Sequence, residues 1–155
     1  MNRQIMKISA MAALLVLAGC ASMGGGNSGV DVLASGLHSG VKDEQYHDIH
    51  NAADFKTWWD KAYSVYSSAP PMPNVDFTKQ MVIAAFMGEK SRGGYIFRVI
   101  KATETDQGID AVISIQIPGS GCNAPQATVQ PFQFVAIPAS TKSVNWDVKQ
   151  SYRNC

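Results

Sequence analysis

Hydrophobic residues recur with two different periods along the chain, and the change of period separates one helix from a set of strands. After Asn51, apolar side chains are spaced three or four positions apart, which predicts one amphipathic helix of about four turns. Asn51 is a suitable N-cap, and the prolines of Ser67–Asn74 end the helix. The predicted apolar stripe consists of Phe55, Trp58, Trp59, Ala62 and Tyr66. Paired tryptophans can also form a sugar platform, but their place in the stripe favours core packing.

From Val75 onward the pattern is typical of β-strands. Met81–Met87 is a continuous apolar run, which predicts a strand buried on both faces. Gly88–Gly94 is polar and glycine-rich, which predicts a hairpin loop. Further predicted strands are Gln45–His50, Tyr95–Lys101, Ile109–Ile117, Phe132–Ile137 and Val144–Val148, with a turn at Thr103–Gly108 and a longer loop at Pro118–Gln130. The pattern predicts one α+β, mainly β domain: an antiparallel sheet or sandwich of five to seven strands with one amphipathic helix.

The N-terminus has the zones of an export signal. Arg3 and Lys7 form a positive start, and residues 8–17 are an apolar run too short to span a bilayer. The run ends in the letters LAGC at residues 17–20, which resemble the lipobox of bacterial lipoproteins. The resemblance implies cleavage before Cys20 and acyl chains such as palmitate on the mature N-terminus, with a diacylglyceryl group on the cysteine thiol.

This interpretation divides the protein into three parts. Residues 1–19 are the predicted lipoprotein signal peptide, 20–29 the lipidated cysteine with a flexible Gly/Ser-rich tether, and 30–155 a single globular domain. Ala21 follows the cysteine, which resembles lipoproteins sorted to the outer membrane. We therefore expect a membrane-anchored protein of the cell envelope, on the outer membrane and facing the periplasm.

The remaining cysteines form an even pair. Because an exported protein folds in an oxidising compartment, Cys122 and Cys155 are predicted to form a disulfide. The alternative is a nucleophilic Cys122 within the letters GSGC. The formal net charge is only +1, and removal of the predicted signal with its two basic residues lowers it. Because nucleic acids bind to strongly basic surfaces, we expect no nucleic-acid partner.

Catalytic and metal-binding signals are weak. His47 and His50 are three apart on a predicted strand, so they point to opposite faces and cannot share a metal; on a helix they could, with His38 as a third ligand. No nucleophile elbow, P-loop or dinucleotide fingerprint is present in the sequence. We expect no enzymatic activity, no cofactor and no metal. The alternative is an envelope enzyme that uses His47, His50 or Cys122.

Several motifs in fixed order connect the sequence to a known family. They are FKTWWD in the helix, Asp76-Phe77 before the apolar strand, Gly88-Glu89, Gly93-Gly94-Tyr95 and Pro131-Phe132. Together, over about Asn51–Val148, they resemble the PrcB C-terminal domain family, small exported domains first named for a subunit of a protease complex. The resemblance implies an accessory role without a catalytic centre.

These observations lead to a functional hypothesis. We expect a binding module that interacts with or stabilises an envelope protein, and a protease is the partner that the family name suggests. Loops on a rigid sheet commonly carry recognition, so the contact surface is predicted at Lys90, Arg92, Gly93, Gly94 and Tyr95, together with the Pro118–Gln130 loop. For the function, the alternative is a peptidase inhibitor. For the segment with Lys90 and Arg92, the alternative is a simple turn that carries two solvated basic side chains.

Overall fold

The structure is a computed structural model that describes residues 29–155. The predicted signal, Cys20 and the tether up to residue 28 lie outside the described residues. The elements are β1 (Asp31–Gly36), β2 (Glu44–Ile49), α1 (Ala52–Tyr63), β3 (Gln80–Met87), β4 (Ile96–Thr105), β5 (Gly108–Pro118), β6 (Phe132–Pro138) and β7 (Val144–Arg153). The predicted mainly β class with one helix is confirmed. Within residues 29–155, no helix has the length and apolar character needed to cross a membrane.

The strands form two sheets, and the helix covers one of them. Sheet I has the order β1-β6-β3-β2 with antiparallel pairing throughout, and sheet II has the order β4-β5-β7. One pairing departs from the antiparallel prediction, because β7 lies parallel to β5. The reason is the path of the backbone: after β5 it crosses to sheet I for β6 and then returns to sheet II in the original direction.

Strand β3 is the centre of the domain and is buried on both faces, as the sequence predicts. Met81, Ile83, Ala85 and Met87 pack toward sheet II, in a core that also contains Ile113 and Ile115 of β5. The alternate residues Val82, Ala84 and Phe86 pack toward the helix together with Phe132 and Phe134 of β6. Since side chains alternate along a strand, a strand between two apolar layers needs an uninterrupted apolar sequence.

Helix α1 begins at the predicted cap but ends earlier than predicted. The Asn51 side chain accepts a hydrogen bond of 2.9 Å from the backbone N–H of Asp54. Phe55, Trp59 and Ala62 lie on the buried face of the helix. The helix ends at Tyr63, where the Ser64 hydroxyl donates to the Lys61 carbonyl at 2.9 Å. Tyr66 therefore lies beyond the helix and is 43% exposed, so its place in the predicted stripe is wrong.

The connection after β3 is not the predicted hairpin. Because β3 belongs to sheet I and β4 to sheet II, Gly88–Gly94 carries the backbone from one sheet to the other. The predicted turn at Thr103–Gly108 does join a paired hairpin, β4 with β5. Gly108 has a φ of 152° at this turn, a backbone conformation that side chains disfavour.

The N-terminal end of the described residues enters the fold beside β4. Gly29 lies so close to the Ala102 carbonyl that an added Cβ would sit 2.5 Å from its oxygen. Val30 then packs against the core between the sheets. The next strand, β1, was not predicted, since it is a short edge strand that contributes only partly buried Leu33 and Ala34 to the helix-side core.

Gln133 is a buried polar residue that joins the two sheets. It is 5% exposed on β6, and its side-chain carbonyl accepts a 2.7 Å hydrogen bond from the backbone N–H of Val99 on β4. This bond pairs the backbone N–H of Val99 close to the point where the register between β4 and β5 shifts, between Val99 and Lys101.

Gln133→Leu should therefore lower the free energy of unfolding by about 1–3 kcal/mol, because it leaves the buried Val99 N–H without an acceptor. Urea denaturation of both proteins measures the difference. Gln116→Leu is the control at a half-exposed glutamine of β5. Equal destabilisation by the two substitutions would contradict a specific role for the Gln133 bond.

Candidate functional site

The residues predicted to bind a partner lie at one end of the sandwich, next to the end of β7. Residues 88–95, 118–130 and 152–155 meet there, and we call these three segments the loop platform. Lys90 and Val129 exchange backbone hydrogen bonds of 2.9 and 3.0 Å. The Gly93 N–H donates to the Pro125 carbonyl at 2.8 Å. The two long loops are therefore fixed against each other.

A disulfide joins the second loop to the last residue of the sequence. Cys122 and Cys155 are bonded, with their Cα atoms 4.9 Å apart and a sequence separation of 33, and the predicted pairing is confirmed. The Gly119 N–H also donates to the Arg153 carbonyl at 3.1 Å, which extends the pairing of β5 and β7 into the loop. In this bonded state Cys122 has no thiol, and the nucleophile alternative has no free sulfur to use.

Two arginines hold the loop platform together through hydrogen bonds to backbone carbonyls. The Arg92 guanidinium donates from Nη2 to the Pro118 carbonyl at 2.6 Å. The Arg153 guanidinium donates from Nη2 to the Gly94 carbonyl at 3.1 Å. In residues 29–155 no carboxylate lies within 4.0 Å of either guanidinium, whereas five lysines have such partners. Both positive charges are thus fixed in position without a neutralising ion pair.

The two arginines line a surface groove of about 640 Å³. Its other lining residues are Pro118, Gly119, Ser120, Gly121, Tyr152, Asn154 and Cys155. Sequence reasoning missed Arg153, because it follows Gly94 by 59 positions and no motif marks it. Only the parallel pairing of β7 with β5 brings this side chain to the loops.

The predicted contact residues have different surroundings. Gly93 is buried against Pro125, and Gly94 has a φ of 87°. Tyr95 is partly buried and packs against the core between the sheets. Lys90 and Arg92 are half-exposed and carry the accessible charge. The two glycines and Tyr95 thus shape the platform, and their contact with a partner stays a prediction.

The acidic residue of the first loop is already engaged. The Glu89 carboxylate accepts a 2.9 Å hydrogen bond from the Gln130 amide and lies 4.0 Å from the Lys42 ammonium. Neither contact involves a guanidinium, and Glu89 does not line the groove. The groove lining therefore contains two guanidinium groups and no acidic side chain.

The histidines of the enzyme alternative lie on and after β2. The His47 ring stacks on Trp58 with a centroid distance of 3.7 Å, and its Nε2 lies 3.0 Å from the side-chain amide oxygen Oε1 of Gln45. His50 is exposed and lies 3.2 Å from the Asp48 carboxylate. Among residues 29–155, no group of three His, Cys, Asp or Glu side chains is arranged to hold a metal ion.

Trp58 and Trp59 are not arranged as an open aromatic platform. Trp59 is buried, and its indole N–H donates to the Pro70 carbonyl at 3.2 Å. The Trp58 ring contacts His47, and the Lys61 ammonium lies 4.2 Å from its centroid. These contacts cover ring surface that a sugar would need, and they support the packing interpretation.

Burial lowers the pKa of His47, and the positive charge of Lys61 lowers it further. The unfolded protein therefore binds a proton at His47 more readily than the folded protein does. The stability of the protein should be highest above the unfolded pKa of about 6.5. It should fall as the pH drops below that value and through the lower pKa of the folded state.

We expect His47→Gln to reduce this loss of stability between about pH 6.5 and pH 5. Denaturation midpoints of the two proteins across that range provide the measurement. The same substitution at the exposed His50 is the matched control. Identical pH profiles for wild type and His47→Gln would show that the stacked imidazole has no part in the acid sensitivity.

The fold and the platform define a class of protein: a small β-sandwich domain with two long loops at one end that are fixed by a disulfide. A comparison with known protein families shows that residues 81–138 match the family model described as PrcB C-terminal. This confirms the family resemblance for β3 to β6, a narrower range than the motifs suggested. No curated protein and no solved structure matches the sequence.

Proposed function

We propose that the protein is a non-enzymatic, membrane-anchored accessory domain whose loop platform binds another protein of the cell envelope. The observation that carries this proposal is the rigid platform itself, which holds two guanidinium groups without carboxylate partners at one end of the sandwich. A surface that is already ordered loses little conformational entropy when it binds. Both long loops also lie within the part of the sequence that matches the family.

A peptidase is the partner class that we propose. The support is the match to the family model described as PrcB C-terminal, together with the sequence resemblance, which implies a relationship to a subunit of a protease complex. A domain fixed by a disulfide suits an oxidising compartment such as the cell envelope, where we propose that the partner also lies. Binding at the platform would stabilise the peptidase or regulate access to it.

The proposed anchor is the lipidated Cys20. Mass spectrometry of the mature protein is expected to show a polypeptide that begins at Cys20 and carries a diacylglyceryl group with further acylation. Cys20→Ser should remove the acceptor thiol and give a precursor that keeps its signal and carries no lipid. Cys155→Ser is the control, since that cysteine is bonded within the domain. An unacylated Cys20 in the wild-type protein would contradict the anchor.

Site-specific photo-crosslinking in intact cells tests the binding surface. Gly121 is a suitable position for a photoreactive side chain, because it is exposed and an added Cβ there has no atom within 4 Å. Gln126 is an exposed second position in the same loop. Both positions should crosslink to the same envelope protein. Thr141, exposed in the connection between β6 and β7, is the control and should give no such product.

The identity of the crosslinked protein decides the rest of the proposal. A peptidase at both platform positions supports it, and its activity with and without the lipoprotein distinguishes stabilisation from inhibition. Equal crosslinking from Gly121 and Thr141 would show that the platform is not the binding surface.

A further inference from the structure

We propose that the groove between Arg92 and Arg153 binds a carboxylate carried by an extended peptide segment of the partner. This inference rests on the proposed function and specifies its recognition chemistry. The groove belongs to the loop platform and lies where β5 and β7 end. Its charge, its hydrogen-bond donors and the strand beside it all point to the same ligand.

The donors of the groove are fixed but only partly used. A guanidinium offers five N–H donors, and the contacts between each arginine and a backbone carbonyl use one nitrogen, Nη2. The Nε atom of Arg153 is buried without a hydrogen-bond partner, and among residues 29–155 it is the one side-chain nitrogen or oxygen in that situation. Unpaired buried donors are uncommon in folded proteins and are costly. Because Arg153 Nε is buried, the donors that a ligand can reach are the remaining N–H groups of the terminal nitrogens Nη1 and Nη2 of the two arginines.

The remaining walls leave room for a ligand. Residues 119–121 are Gly-Ser-Gly, and an added Cβ at Gly121 has no atom within 4 Å. The groove volume of about 640 Å³ lies within the range of small-ligand sites. Ser120 and Asn154 line the groove beside the guanidinium groups and add polar character.

The positive groups of the groove favour a carboxylate. A guanidinium is planar and its donors match the two oxygens of a carboxylate, which gives charge-assisted hydrogen bonds. No carboxylate within residues 29–155 occupies this position within 4.0 Å of Arg92 or Arg153. An acidic side chain and the C-terminus of a polypeptide carry the same group, and either can supply it.

The neighbouring strand explains why the carboxylate belongs to an extended peptide. Strand β7 is at the edge of sheet II and pairs only with β5 among the described residues. The carbonyl of Ser143, just before β7, and the carbonyl of Arg153 accept hydrogen bonds from the N–H groups of residues 109 and 119 on the β5 side. The backbone N–H and C=O groups of the alternate residues of β7 therefore face away from β5, toward the open edge. An unpaired edge of this kind can accept a further strand.

The same strand runs directly into the groove. Tyr152 is 77% exposed, and it lines the groove together with Arg153 at the end of β7. A peptide paired along β7 would thus reach the two guanidinium groups with its end or with a side chain. The exposed Tyr152 ring gives it an aromatic surface to pack on.

Fluorescence anisotropy with three labelled peptides tests the proposal on the mature lipidated protein in detergent. The first peptide is Thr-Val-Thr-Val with a free C-terminal carboxylate. The second is amidated and contains one Glu, and the third is amidated with Gln in place of that Glu. At least one of the first two should bind about tenfold tighter than the third, and the pair identifies whether the C-terminus or the side chain is recognised. Equal affinity for all three, or no binding, overturns the proposal.

Variants connect the preference to the groove. Arg92→Gln and Arg153→Gln should each reduce the carboxylate preference about tenfold, whereas Arg98→Gln, at an exposed arginine of β4 outside the groove, should not change it. Because both groove arginines also hold loops, Gly121→Asp is a second variant; it adds a competing negative charge at a position where a new Cβ has no atom within 4 Å. It should also abolish the preference.

The controls separate this inference from the proposed function. Thr141→Asp adds the same charge before the start of β7, away from the groove, and should leave the peptide preference unchanged. A preference that persists in Gly121→Asp and in both arginine variants overturns the assignment to this groove. If the platform crosslinks to its partner but shows no carboxylate preference, this inference fails and the proposed function stands. Peptide selectivity without crosslinks would instead contradict the proposed function.

Discussion

Phe55→Ala should lower the free energy of unfolding by about 3–5 kcal/mol, the typical cost of removing a buried aromatic ring. Phe55 is 1% exposed and lies between α1 and sheet I. Its ring packs edge to face against Trp59, Phe77 and Phe134, with centroid distances of 5.7, 6.2 and 5.7 Å. The substitution therefore leaves a cavity and breaks three aromatic contacts at once.

The loss is large relative to the whole stability of a small domain, which is about 5–15 kcal/mol. The helix depends on this packing, since isolated helices of about 12 residues are marginal in water. Guanidinium denaturation followed by far-UV circular dichroism measures the change. Tyr152→Ala is the matched control, because that aromatic side chain is 77% exposed and its loss should change stability by no more than about 0.5 kcal/mol. Similar effects of the two variants would contradict the structure of the helix-side core.

Replacing both Cys122 and Cys155 with serine should lower the free energy of unfolding by about 2–4 kcal/mol. The bond spans a sequence separation of 33, and the chain-entropy account gives a value of about 4 kcal/mol for a loop of that size. Because the bond joins a loop to the last residue, its loss should also release the platform locally. Amide exchange at Gly119 and Cys122, whose N–H groups are bonded within the platform, should become faster.

Denaturation with and without reductant provides the measurement. Reductant should lower the midpoint of the wild-type protein and leave the double serine variant unchanged. A wild-type midpoint that does not respond to reductant, with thiols shown to be reduced, would contradict a stabilising bond.

The core could be predicted from the sequence because its patterns are continuous and local. Met81–Met87 is apolar without interruption, and this requires burial on both faces. The alternation of Ile109, Ile113 and Ile115 with polar residues identifies one inward face of β5. The cap at Asn51 likewise depends only on nearby residues, so its prediction was correct.

Connections between the sheets could not be predicted in this way. Gly88–Gly94 has the composition of a hairpin loop, and nothing in these residues shows that the next strand joins a different sheet. The parallel pairing of β7 with β5 could not be predicted either, because it results from the crossing of the backbone to sheet I and back between these two strands. Helix α1 was predicted too long because Tyr66 continues the helical spacing, although the Ser64 hydroxyl bonds the Lys61 carbonyl and the helix ends.

The candidate site was predicted in part. The polar, glycine-rich composition of their loops allowed Arg92 and the Pro118–Gln130 loop to be predicted as part of the site. The structure places them together. Arg153 could not be found, because its position depends on β7 reaching the loops from the far end of the sequence. Gly93 was predicted as a contact but is buried, since a glycine in a loop can serve backbone packing as well as exposure.

The backbone enters the described domain beside Ala102, at the end of the sandwich where a proposed anchor would be attached. Gly29 lies near the end of β4 that is remote from Gly94, and about eight residues of extended strand, or roughly 25 Å, separate the two positions. A protein held at Cys20 would be suspended from that end. The groove would then lie at the end of the domain far from this attachment, where a large envelope protein can reach it while the predicted flexible tether lets the domain reorient.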